Sequence, residues 1–169
     1  DDSSEVDDHK KALFEVRSLL PPATLKIDRL LRDQKRLDVR PVRECYVAVR
    51  DDKIKRFIRR GLNQNAGTSQ RDCFILHRDG SIEGAIDWDY DDISHVKALP
   101  IDPEKLVLRG GVFTTIANQM KQEVGYNYWG RHIVISRSNT EVRGLRHDVV
   151  GETSVGHPYS GFISVQSCA

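Results

Sequence analysis

The chain has 169 residues, 38% of them hydrophobic and 30% charged, with 26 basic residues against 25 acidic ones. That size suits one domain with a buried core, and the charge balance withholds the dominant basic surface of a dedicated nucleic-acid binder. No apolar run reaches the roughly 18 residues a membrane-spanning helix needs.

Residues 1–11, "DDSSEVDDHKK", read as an acidic, solvated, flexible tail, with residues 12–169 as a single folded domain. The chain starts at Asp1 with no signal-like apolar core behind it, which reads as a processed or truncated start, or as the point where order begins. Ala12, Leu13, Val16, Leu19 and Leu20 recur at helical spacing, and Pro21-Pro22 ends that helix. A second helix is expected over 23–39, capped by Thr24, with Ile27, Leu30, Leu31 and Leu37 as its buried stripe. Tyr46, Val47 and Val49 predict a central strand, and "DDKIKRFIRRG" a short helix stopped by Gly61. Residues 62–72 are polar and aperiodic and read as a loop.

The stretch "CFILHRDGSIEGAIDWDYDD", residues 73–92, is the most conspicuous in the chain. Cys73 to His77 reads as a strand, Asp79-Gly80 as a hairpin turn and Ser81 to Ile86 as the return strand. Asp91 or Asp92 then caps a short helix through "ISHVKAL", closed by Pro100. Asp102-Pro103 opens either a helix or a loop entering a strand at Leu106–Leu108, and 112–124 is helix or strand. Residues 125–130 form an aromatic turn, "RHIVISRSN" and "GFISVQSCA" are strands, and Gly151 to Gly161 is a loop. No internal repeat is evident. The expected class is α+β: N-terminal helices, then a mixed, mainly antiparallel sheet with long loops.

Three constellations bear on chemistry. Glu83, Asp87, Asp89, Asp91 and Asp92 place carboxylates at i and i+2, as in magnesium-dependent nucleases and nucleotidyltransferases, yet they serve equally as a solvated, capping turn. His77, Asp79 and His132, with Arg143 beyond, resemble the two-His, one-carboxylate pattern of iron(II), 2-oxoglutarate oxygenases. That resemblance makes the first three metal ligands and Arg143 the cosubstrate's partner, whereas the turn alone accounts for Asp79. Cys45 or Cys73 with a His would make a nucleophile and base, but no local signature supports either pairing and inert burial is the default. Cys45, Cys73 and Cys168 form an odd set without CxxC spacing, which favours reduced thiols.

"ATLKIDRLLRDQKRLDVRPVRECYVAVRDDKIKRFI", with "DYDDISHVKAL" and "WGRHIVISRSN", resembles the major capsid proteins of tailed phages across about half the chain. That family's spine helix, extended loop and arm have no counterpart here. The resemblance implies a self-assembling shell protein. The expectation is therefore a non-enzymatic structural or assembly protein, with a viral capsid shell as the candidate assembly. Its partners would be copies of itself or other assembly proteins, with no specific nucleic acid and no membrane. It would sit in a virion or a reducing cytoplasm. No catalytic, cofactor-binding or metal residue is assigned, and no cofactor. The alternative is a small metal-dependent hydrolase, nucleotidyltransferase or oxygenase, or an effector, using His77, Asp79 and Asp87–Asp92.

Overall fold

The computed structural model describes residues 12–56, 67–116, 132–151 and 161–169. The expected tail (1–11), the end of the 51–61 helix, the 117–130 segment and most of the 151–161 loop lie outside them. Eleven strands follow one another in the described chain, with no helix among them, so the fold is mainly β rather than α+β. None of the described residues therefore forms a helix long and apolar enough to cross a membrane. By compactness the chain divides into Asp1–Ser18 with Asp102–Cys168 (unit 1) and Leu19–Ile101 (unit 2).

Unit 2 is built on an antiparallel sheet of order β4-β3-β2-β5: β2 Cys45–Arg56, β3 Thr68–Leu76, β4 Ile82–Glu83 and β5 His95–Pro100. Cys45, Val47 and Val49 alternate inward on β2, opposite Leu76, Phe74 and Asp72 on β3. This period-two burial is what a strand with one covered face requires. The expected helix at 93–99 is β5 instead. The carboxylates read as its caps pair with side chains of other segments, and Val96 and Ala98 pack on the core cluster while Lys97 is exposed.

The expected helix at 23–39 is an extended strap. Ala23 bridges Ala98, Leu30 bridges Tyr90 and Arg36 bridges Ser81. Its peptide groups are satisfied across the chain rather than four residues back. Leu30 and Tyr90 exchange N–H···O bonds of 3.1 and 2.8 Å, and Leu37 N–H reaches Gly80 O at 2.8 Å. Ile27, Leu30 and Leu37 are buried as expected, but Leu31 is 46% exposed, because neighbours in an extended chain face opposite ways. The same holds at 51–56, where the expected helix continues β2 past a register shift between Asp51 and Lys55. The segments whose helical reading carried the capsid resemblance are thus extended.

Unit 1 is built from parallel pairs. Its strands are β1 Phe14–Arg17, β6 Leu106–Arg109, β7 Val112–Ile116, β8 Ile133–Ser136, β9 Thr140–Arg143, β10 Arg146–Val150 and β11 Ile163–Val165. The expected first helix, 12–20, contains β1, whose Val16 alone is buried. β6 pairs with β9 and β7 with β10, in both cases with residues 34 apart in register. β8 lies between β1 and β11, pairing with β11 at a separation of 30 residues.

An offset of 30 to 34 residues recurring over consecutive parallel strands is the pattern of stacked coils. β6-β7-β8 form one coil and β9-β10-β11 lie on it as the next, in the manner of a β-solenoid. The corner between the first two strands recurs as Arg109-Gly110 and Arg143-Gly144, with glycine φ values of 69° and 64°. Gly110 N–H donates to Arg143 O at 3.0 Å, joining the two corners. Val16, Ile133 and Ile135 form the buried centre, with Leu108, Phe113, Val142, Leu145 and Phe162 packed around it. This repeat, absent from the sequence reading, preserves backbone geometry and little side-chain chemistry.

Candidate functional site

The stretch 73–92 turns where expected, but through the three-residue loop 78–80 rather than a two-residue Asp79-Gly80 hairpin, and the return strand expected over Ser81–Ile86 is only β4 Ile82–Glu83. Gly80 N–H donates to His77 O and His77 N–H to Ser81 O, each at 2.9 Å, closing a tight hairpin. Asp79 Oδ1 accepts from Ser81 N–H at 2.9 Å and from its hydroxyl at 2.6 Å. Those two bonds, with Arg36 beside them, hold the Asp79 carboxyl below the usual carboxylate range. The side chain that would serve a metal is turned back onto its own loop.

His77 lies between two glutamates, Nδ1 2.8 Å from Glu44 and Nε2 3.3 Å from Glu83. Glu44 above all, then Glu83, raises the imidazole's pKa above the ordinary 6.5. A raised folded-state value means a stabilising charge that is fully present below pH 6.5 and fades as pH rises through the higher value. His77→Gln should therefore flatten the pH dependence of the melting temperature just above pH 6.5, with little change at pH 9. An unchanged profile would show that the imidazolium contributes nothing.

The remaining acids point to separate partners. Asp89 Oδ1 accepts from Arg32 N–H at 2.7 Å, Asp91 pairs with Arg29 at 3.3 Å, and Asp92 pairs with Lys53. They tie the strap and β2 to the segment after the hairpin. Among the described residues no group of three His, Cys, Asp or Glu side chains is placed to hold a metal ion. His77 and Asp79 belong to unit 2, while His132 and Arg143 belong to unit 1, where Arg143 pairs with Glu141 at 3.4 Å. Cys45 is buried, Cys168 half-buried and Cys73 exposed, all as free thiols.

A polar end to the unit 2 core escaped the sequence reading. Asp51, Gln70 and Asp72 project inward where β2 and β3 outrun the apolar core. Gln70 Oε1 accepts from Arg56, and its Nε2–H donates to Asp89 O at 2.9 Å. Arg56 also lies over the Trp88 ring, 3.8 Å from its centroid. Asp72 Oδ2 accepts from Asp87 N–H at 3.2 Å, and burial raises its pKa. The fully buried Tyr90 faces Asp72, and burial, then Asp72, pushes its phenol far up. The signal was present as alternation through "SQRDCFIL", hidden because Gln70 and Asp72 read as loop residues.

Unit 1 offers a different kind of surface. Among the described residues, no strand pairs with the far side of β9, β10 or β11. Val150 is 46% and Val165 68% exposed there, and Ile163 is also exposed. On the inner side His147 stacks on Phe162 at 4.1 Å and its Nε2 lies 2.9 Å from Thr115 Oγ1. Burial lowers the His147 pKa, so a neutral ring belongs to this core. Such an edge carries unpaired peptide groups beside apolar side chains, which is the chemistry of strand addition.

Comparison with protein-family models, with curated proteins and with solved structures finds no match to this chain.

Proposed function

We propose that the protein is a non-enzymatic assembly component that works by self-association, through the outer strand edges of unit 1. The observation that carries this reading is the coil β9-β10-β11. It presents parallel strands with unpaired outer edges among the described residues, together with exposed Val150, Ile163 and Val165. Adding strands there satisfies peptide groups and buries apolar surface at once. Near-neutral net charge, +1 with neutral histidines, leaves little long-range repulsion between copies. The acids of 73–92 enter this reading as braces of unit 2. A viral shell is one assembly that this reading allows.

Light scattering behind size exclusion, over a wide range of protein concentration, tests it. The mass should rise above that of one 19.2 kDa chain as concentration increases. A mass fixed at one chain throughout would refute the proposal.

A further inference from the structure

Resting on the assembly reading, we infer that the partner at this edge is a second copy of the chain, joined β10 to β10, antiparallel, about a two-fold axis at His147.

The backbone sets which groups are on offer. Arg146 donates its N–H to Gly111 O at 2.9 Å, on the β7 side. Peptide groups alternate along a strand, so those of Leu145, His147 and Val149 point to the outer edge. In an antiparallel pair centred on His147, its N–H donates to the C=O of its counterpart and its C=O accepts from the counterpart's N–H. Leu145 then meets Val149 of the other copy.

The side chains select that register. Arg146 and Asp148 face outward, 3.0 Å apart at their ion pair, while His147 is turned inward against Phe162. Centring on His147 places each Arg146 opposite the second copy's Asp148, twice over by symmetry, and sets Leu145 against Val149 on the inner face. Centring on Asp148 would set carboxylate against carboxylate. Centring between residues would match an inward side chain with an outward one, which the pleat forbids. A head-to-tail stack repeating the internal register would instead add another Arg109-to-Arg143 rung, a like-charge pair already present once within the chain. The two-fold arrangement is isologous and closes on itself, so it stops at two copies.

Arg146→Asp, Asp148→Arg and the double exchange test the register, with circular dichroism confirming the fold of each. Each single variant should weaken dimerisation about tenfold or more, and the double exchange should recover it to within roughly threefold of the parent. Folded single variants that dimerise normally, a double exchange as weak as the singles, or open-ended stacks would overturn the inference while leaving self-association standing. A parent protein that stays monomeric would remove both.

Discussion

Gly80→Ala should be among the most damaging single-methyl changes in unit 2, costing about 2–4 kcal/mol. The glycine has φ +87°, a region that costs an L-residue roughly 1–2 kcal/mol. Space makes this worse, since a Cβ there would lie 2.4 Å from Leu37 O, a backbone atom of the strap that cannot swing aside. The strap must retreat, and with it the bond from Leu37 N–H to Gly80 O. The checks are thermal melting and hydrogen exchange at the Leu37 amide, which should lose protection. Gly110→Ala is the control. Its φ is +69°, but nothing lies within 4 Å of the added methyl, so it should cost only about 1 kcal/mol. Equal effects at the two sites would mean that the strap does not cross the hairpin as described.

Ile133→Ala should strike unit 1 as hard, by about 3–4 kcal/mol in urea unfolding. Ile133 is fully buried at the centre of the parallel trio, with Phe14 on one side and Ile163 on the other. Truncation opens a cavity between successive coils, and the neighbouring strands are too short to close over it. The amides of β8 and β11 should exchange faster. A loss below about 1 kcal/mol would place Ile133 outside a packed coil centre.

Legibility followed how directly a local pattern dictates the backbone. The strand through Tyr46, Val47 and Val49 and a turn at Asp79-Gly80 were readable, because β-formers and positive φ mark their own positions. The strap was misread because Ile27, Leu30 and Leu37 fit a helical stripe as well as an extended chain; only tertiary partners at Tyr90, Gly80 and Ala98 decide between them. β5 was misread because Asp91 and Asp92 resembled helix caps, whereas Arg29 and Lys53 hold them. The coil repeat was invisible for another reason. Stacked strands demand matching backbone and face, and of the aligned residues 106–116 and 140–150 only the Arg-Gly corner is kept. The proposed edge shared that obscurity, since "RHDVV" announces itself as an interface only once β7 is known to cover its other side.

Where copies meet decides between this edge and any other. Hydrogen–deuterium exchange should be followed at the Leu145, His147 and Val149 amides while protein concentration is raised. Protection growing at these three in step with mass, with the β5 amides unchanged, is the predicted result. A mass that rises while these amides exchange at a constant rate would contradict it.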